Sequence, residues 1–326
     1  MSITEEFHPT PALKHRFLQT FLGGSKLRKL GKNPMLSATQ EMILETGDHV
    51  RLIGHYSAHP KARGLVILLN GWLGDSGSAY ITSTGKYLYQ NGYSVFRLNY
   101  RDHGDSQHLN EGPFYATLLD EVFECVSQAA SIEKGRPVFL AGFSLGGNFA
   151  LRIARQCATT HIENLKHIIS ISPVLDPDKS TDAADGDRII RTYFLKKWRK
   201  SLLKKQSLFP EKYDFSRILN NNRIRIITEE LIKRYGPYEN ARQYFQAYSV
   251  KSDALMTIPV PTTIITAEDD PIIPAGDFHR LELNHLTKLV IHQHGGHNGF
   301  IEGFRLNTWY ERNMVALFNE IVGTNL

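Results

Sequence analysis

A serine flanked by glycines, GFSLGG at 142–147, follows the apolar run PVFLA and precedes NFALRIARQC, a stretch of helical spacing. A serine hydroxyl is a weak nucleophile at neutral pH. It attacks a carbonyl carbon only when a base lies within hydrogen-bond reach and a third group orients that base. Two later phrases supply those residue types. In PTTIITAEDDPIIP (261–274) a β-rich run ends in Glu268, Asp269 and Asp270 before a proline turn; in KLVIHQHGGHNGF (288–300) another ends at Gly295, Gly296 and His297. The chain order serine, acid, histidine is the one in which a mostly parallel sheet carries a nucleophile elbow. The residues alone leave Asp269 and Asp270 equal candidates for the acid. Acyl transfer also needs donors for the developing oxyanion. The Leu145 N–H, at the start of a helix, is one; the other comes from the loop LLNGWLGDSG (68–77), at Trp72.

A Gly-x-Ser-x-Gly pattern alone would arise by chance in roughly one chain of this length in ten, so its context must decide. Six apolar runs read as strands buried on both faces: 64–70, 93–100, 137–143, 167–172, 262–266 and 288–293. Helix-like stretches stand between them at 78–90, 114–132 and 145–158, and a last one spans 301–322. That alternation predicts an α/β fold with a mostly parallel central sheet flanked by helices. QEMILETGDHVRLIGHY (40–56) adds an antiparallel hairpin at one sheet edge. The serine, the aspartates and His297 then all sit at the carboxyl ends of strands, where ligands of open α/β sheets bind.

One interval breaks the rhythm. The run ending at Ser172 and the run starting at Thr262 are far more distant than one crossover helix requires, which predicts an inserted helical cap at 174–258. This segment holds seventeen Lys and Arg against eleven Asp and Glu, and so accounts for the chain's net charge of +5. Its centre, FLKKWRKSLLKKQSLF, spaces Phe194, Leu195, Trp198, Leu202, Leu203 and Leu208 as an apolar stripe among six basic residues from Lys196 to Lys205. A solvated helix face is the leading reading. Peripheral contact with an anionic membrane through the basic cap, or attraction of acidic substrates, is the second; nucleic-acid binding is not expected, because no recognised module accompanies the charge.

Other suggestive phrases have plainer readings. GDSG at 74–77 places Ser76 in a loop between strand and helix; Arg101 and Asp102 in NYRDHGDS read as ion-pairing braces of the crevice. His292, His294 and His297 lack an interleaved carboxylate to complete a metal site, so neither metal nor cofactor is expected. Two cysteines, Cys125 and Cys157, both fall in helical stretches and fit a reducing compartment. The acidic, uneven start MSITEEFHPT does not resemble a secretory signal. A cytoplasmic location, peripheral at the membrane where the cap makes contact, is the expectation.

GFSLGG, NGWLG, NYRDHGDS, EDDPIIP and GGHNGF together resemble the α/β-hydrolase fold superfamily over nearly the whole chain. FHPTPALKHRFLQTF further resembles the branch of carboxylesterases and acylglycerol lipases in which a Pro-rich start and a Leu-Gln-Thr phrase precede the hydrolase domain. The resemblance implies Ser144 as nucleophile, Asp270 as acid and His297 as base, with Trp72 and Leu145 as oxyanion donors. Asn70 departs from a common histidine and Asp102 from a common glycine. The expected organisation is a hydrolase core at 1–173, with an N-terminal extension at 1–35, the cap at 174–258, and the rest of the core at 259–326. The expected activity is hydrolysis of a small-molecule carboxylic ester of an acyl or other apolar acid, lipid-derived substrates included. A thioesterase or small-amide hydrolase with the same triad, or a non-catalytic binding protein on this fold, are the alternatives.

Overall fold

Short Val- and Ile-rich runs that are apolar on both faces can hide their backbone only in the middle of a sheet covered from both sides. The computed structural model describes residues 6–323, leaving residues 1–5 of the N-terminal extension outside the described residues, and bears out the α/β-hydrolase architecture. Eight strands form one sheet: β1 Thr39–Thr46, β2 Val50–Ser57, β3 Leu65–Leu69, β4 Ser94–Asn99, β5 Val138–Phe143, β6 Leu165–Ile171, β7 Thr262–Ala267 and β8 Thr287–His292. Their order is β1-β2-β4-β3-β5-β6-β7-β8. The β1–β2 hairpin joins antiparallel at the edge, and β2 pairs antiparallel with β4; from β4 to β8 all pairing is parallel.

The helices are α1 Arg16–Gly23, α2 Pro34–Ser37, α3 Ala79–Gln90, α4 Leu119–Ala130, α5 Leu145–Gln156, α6 Pro177–Gly186, α7 Arg188–Leu208, α8 Ile224–Tyr235, α9 Ala241–Tyr248 and α10 Trp309–Gly323. Apolar side chains of α3 and α10 pack on one face of the sheet, and those of α4 and α5 on the other. Helices α6 to α9 occupy the interval between β6 and β7. Among the described residues, no helix is long and apolar enough to cross a membrane. Both cysteines are free and buried.

Two helices begin later than their spacing suggests. Residues 114–118 are held as a strap: Phe114 N–H donates to Asp102 (2.9 Å), Ala116 N–H to the Tyr244 hydroxyl (3.0 Å), and the Ala116 carbonyl accepts from Arg152 (2.7 Å). Those bonds take the backbone groups a first helical turn would use. Before α10, Ile301 forms a β-bridge with Thr308, and Leu306 has a φ of +58°, so the chain turns there instead of coiling.

The basic stripe of α7 divides differently from its sequence reading. Leu195, Leu202 and Lys205 share the buried face, while Leu203 and Leu208 are exposed. Lys205 is therefore not a solvated charge. Its ammonium donates to Asp102 Oδ1 (2.9 Å) and to the carbonyls of Asn110 (2.6 Å), Gly112 (3.1 Å) and Gln107 (3.4 Å). Desolvation pulls the Lys205 ammonium down and pushes the Asp102 carboxyl up, each against the attraction of the other. A buried pair of this kind costs little while both partners remain and much when one is removed.

His103, His167 and His292 are buried, and desolvation pushes each imidazole down to about 4 from 6.5. The unfolded chain then takes up protons near pH 6.5 that the folded chain refuses until about pH 4. Folding stability is present above 6.5 and should fall by about 1.4 kcal/mol per pH unit for each histidine as pH drops toward 4. Urea midpoints measured from pH 7 to 5 should decline accordingly. The His292 ring packs against Trp309 at 4.3 Å with Nε2 unpaired, so His292→Phe should flatten the slope by about one histidine's share.

Candidate active site

Gly142 and Gly146 permit the turn that presents Ser144. A Cβ on Gly142 would lie 2.1 Å from the Gly146 carbonyl oxygen, and one on Gly146 would lie 2.3 Å from that of Leu69, so β5, α5 and β3 meet there backbone to backbone. Ser144 itself is held at φ 56°, ψ −114°, a conformation an L-residue adopts only under constraint from its surroundings. Its hydroxyl is thereby lifted off the end of β5 into a cavity.

The other two residues arrive from the ends of β7 and β8. His297 Nε2 lies 2.9 Å from Ser144 Oγ, and His297 Nδ1 lies 2.8 Å from Asp270 Oδ2. Asp270 Oδ1 accepts from the N–H groups of Ile272 (2.8 Å) and Ile273 (2.9 Å), which fixes the carboxylate and leaves Oδ2 for the histidine. Asp269 points elsewhere. Its Oδ1 accepts from Gly296 N–H (2.8 Å), and its Oδ2 lies 3.6 Å from His294 Nδ1, so it braces the turn that carries His297. The three histidines of the His292-to-His297 phrase thus go to three places: His292 against Trp309, His294 beside Asp269, and His297 over Ser144.

The Leu-Gln-Thr phrase acquires a physical meaning that its sequence alone did not carry. Thr20 Oγ1 accepts from the His297 N–H (2.9 Å). Gln19 is fully buried; its Nε2 donates to the carbonyls of Leu13 (2.7 Å) and Ile301 (3.0 Å), and its Oε1 accepts from Ile301 N–H (2.7 Å). Gly296, at φ 53°, passes so close to α1 that a Cβ there would lie 2.4 Å from the Arg16 carbonyl oxygen. The N-terminal extension therefore buttresses the histidine loop. Gln19→Ala would leave the N–H and carbonyl of Ile301 and the carbonyl of Leu13 without these partners. Each such group costs about 1–3 kcal/mol, so a stability loss of several kcal/mol is expected in chemical denaturation.

The loop between β3 and α3 crosses above the serine, where a Cβ on Gly71 would approach Ser144 Cβ to 3.2 Å. Gly71 N–H donates to the Tyr80 hydroxyl (2.9 Å), and Leu73 N–H donates to His103 Nε2 (3.1 Å). His103 Nδ1 faces the Arg101 carbonyl at 2.9 Å, which sets the neutral tautomer able to accept at Nε2. Between these two tied amides, the Trp72 N–H has no acceptor among the described residues. Leu145 is the first residue of α5, so its N–H has no intrahelical acceptor either. Asn70, in place of the common histidine, donates from Nδ2 to the Gly71 carbonyl (2.9 Å), and its own carbonyl accepts from the Tyr100 hydroxyl (3.0 Å). Both bonds stiffen the loop. Arg101 pairs with Glu121 at 2.5 Å, and Ser76 N–H donates to Asn99 (2.6 Å); none of these four residues lines the cavity.

Ser144, Leu145, Trp72 and His297 face a cavity of about 650 Å³. Its walls are aromatic: the Trp72 ring stacks on Phe194 at 5.3 Å and meets Trp198 edge-on at 4.9 Å, while Tyr244, Phe245 and Tyr248 of α9 close the far side. Helix α7 also reaches the loop between β3 and α3 through Lys197, whose ammonium donates to the Leu73 carbonyl (3.1 Å). The carboxylates lining the cavity, Asp75 and Asp102, are already engaged: Asp75 Oδ1 accepts from Gly77 N–H (2.9 Å), and Asp102 pairs with Lys205.

Comparison with known proteins gives a consistent picture. The family model described as serine aminopeptidase, S33, of the hydrolases, matches residues 60–302. A mouse protein named phospholipase ABHD3 is 22% identical over 251 residues, 76% of this chain and 61% of that protein. Its human counterpart is 21% identical over 255 residues, 77% of this chain and 62% of that protein. The chain thus spans about three fifths of the length of the curated relatives it matches, 61% and 62%. Among solved structures, the Pyrococcus furiosus esterase Pf2001 superposes with a TM-score of 0.58 at 18% identity, covering 90% of this chain and 94% of that one.

Proposed function

Because the chain belongs to the hydrolase family described as serine aminopeptidase, S33, we propose that it is a serine hydrolase of carboxylic esters with apolar acyl parts. The observation that carries this reading is the hydrogen-bonded series Asp270–His297–Ser144 opening onto an aromatic cavity. In the proposed reaction, His297 Nε2 takes the Ser144 proton as Oγ attacks the ester carbonyl. The N–H groups of Trp72 and Leu145 receive the oxyanion, and His297 returns the proton to the departing alcohol. Water, deprotonated by the same imidazole, then attacks the acyl-serine and releases the acid. Asp270 holds the ring and stabilises its cation. Residues 174–258 act as the cap that shapes the acyl site.

The cavity favours an ester over the N-terminal residue of a peptide. An aminopeptidase must bind an ammonium group; of the two carboxylates lining the cavity, Asp102 is paired with Lys205 and Asp75 is held through Oδ1 by Gly77 N–H, while Lys26, Lys29 and Lys197 make its charge positive. Phospholipase in the name of two relatives and esterase in that of a structural neighbour agree with an acyl ester as substrate. The deciding experiment is a panel of p-nitrophenyl esters of increasing chain length set against acyl-thioesters and aminoacyl amides. Preference for medium or long acyl esters supports the reading; turnover no faster than that of Ser144→Ala on every ester overturns it.

A further inference from the structure

The mouth of the cavity is bordered by two chain segments of one charge sign. Residues 14–37 hold Lys14, Arg16, Lys26, Arg28, Lys29 and Lys32 and no acidic residue; α7 carries eight Lys and Arg and no acidic residue. Two of these cations are internal, Arg28 against Glu311 and Lys205 against Asp102. The two segments meet at the cavity, whose lining takes Phe21, Lys26 and Lys29 from the first and Tyr193 and Lys197 from the second.

Exposed apolar side chains cluster on the same two segments. Of thirteen large apolar residues exposed among the described residues, Leu18, Phe21, Leu27, Leu30 and Leu36 lie within 14–37, and Ile189, Tyr193, Leu203 and Leu208 on α7. Leu27 is 58% exposed, Leu30 69% and Ile189 60%, values that a side chain packed for stability would not show. On α7, Ile189, Tyr193, Lys196 and Lys200 follow one another at offsets of four, three and four, so they share one outward stripe. Apolar and basic groups are thus interleaved on a rim around an apolar cavity. A polyanion such as RNA would be met by the cations alone and would gain nothing from projecting leucines. An anionic bilayer interface uses both, drawing the lysines to its headgroups and the aliphatic tips to the acyl boundary.

We propose that this rim, formed by residues 14–37 and the outer stripe of α7, docks on an anionic lipid surface and seats the mouth of the cavity on the bilayer. An apolar ester could then pass from membrane to cavity without crossing water. The docking does not depend on the chemistry at Ser144, so the two can fail separately.

Sedimentation with vesicles tests it, using phosphatidylcholine alone and phosphatidylcholine mixed with phosphatidylglycerol. Wild-type protein and Ser144→Ala should both pellet with the mixed vesicles and remain in solution with the neutral ones. Raising salt to about 1 M, where the Debye length shrinks to about 3 Å, should release them. The double variants Lys196→Glu/Lys200→Glu and Leu27→Ser/Leu30→Ser, none of which lines the cavity, should each lose at least about tenfold in partition. Their thermal midpoints and hydrolysis of a water-soluble acetate ester should stay at the wild-type level, which separates lost docking from lost folding. Equal partition onto neutral and anionic vesicles, binding to neither, or unchanged partition of the folded variants would overturn the proposal. Retention on heparin without any vesicle binding would overturn it too, in favour of a soluble polyanion.

Discussion

Ser144→Ala is expected to lower kcat for ester hydrolysis by about 10⁶-fold, the scale on which removal of a serine nucleophile acts, and to abolish labelling by a fluorophosphonate. The substitution is clean because alanine keeps the Cβ that Ser144 already carries at φ 56°, so the strain of the turn is unchanged and only Oγ is lost. His297→Ala should cost a similar factor, because an unassisted serine hydroxyl is as ineffective as an absent one. The double variant should be scarcely slower than either single one. Such non-additivity is the mark of groups that act as one unit, whereas independent contributors would multiply. A residual rate about 10³- to 10⁴-fold above the uncatalysed reaction should persist from the Trp72 and Leu145 donors and the cavity. Full labelling of Ser144→Ala, or a multiplicative double variant, would remove Ser144 and His297 from the roles proposed for them.

The legibility of this chain follows the range of the forces involved. Seven of the strands announce themselves because each is short, bounded by turn residues, and either alternating at the edge or mainly apolar at the centre; β8 reads as a strand buried on both faces but lies at the other sheet edge, with Lys288 to Ile291 only half-buried. The ends of β5, β7 and β8 were readable for the same reason, and with them the strand-end positions of Ser144, Asp270 and His297. Contacts between distant segments were not. Residue type does not distinguish Lys205 from Lys204, yet one has its ammonium among carbonyls of residues 107 to 112 and the other is bonded to the exposed Asp105. The helical phase gives a partial signal, since Lys205 continues the series 195, 198, 202. Gln19 and Thr20 stood out only as part of a phrase shared with a family. Their work lies 282 and 277 positions away in sequence, at Ile301 and His297, and no spacing rule reaches that far. The late start of α4 has the same origin: Asp102, Tyr244 and Arg152 compete for backbone groups that local propensity would assign to a helix.

The adjacent aspartates offer a sharper test of the site than either catalytic deletion, because two nearly isosteric substitutions one residue apart should differ by orders of magnitude. In Asp270→Asn, the N–H groups of Ile272 and Ile273 still demand an acceptor, so the amide oxygen takes the Oδ1 position and the amide nitrogen faces His297 Nδ1. A donor there forces Nδ1 to accept, which moves the imidazole proton to Nε2, the atom proposed to receive the Ser144 proton. The base is then present in place but in the wrong tautomer, and kcat should fall by about 10⁴-fold with little change in thermal midpoint. In Asp269→Asn, the amide oxygen can go on accepting from Gly296 N–H, and only the charge beside His294 is lost. An ion contact of that kind, at 3.6 Å, is worth at most about 1 kcal/mol, so the rate should stay within about tenfold of wild type. Asp269→Ala removes the acceptor altogether and loosens the turn carrying His297; it should lower stability in chemical denaturation and slow turnover by a factor between the two. Steady-state kinetics on a short ester, with melting curves for each variant, distinguish these cases. A larger loss from Asp269→Asn than from Asp270→Asn would transfer the acid's role to the other aspartate, because only the residue that sets the imidazole tautomer can lose four orders of magnitude, about 10⁴, to the exchange of one oxygen for an NH₂.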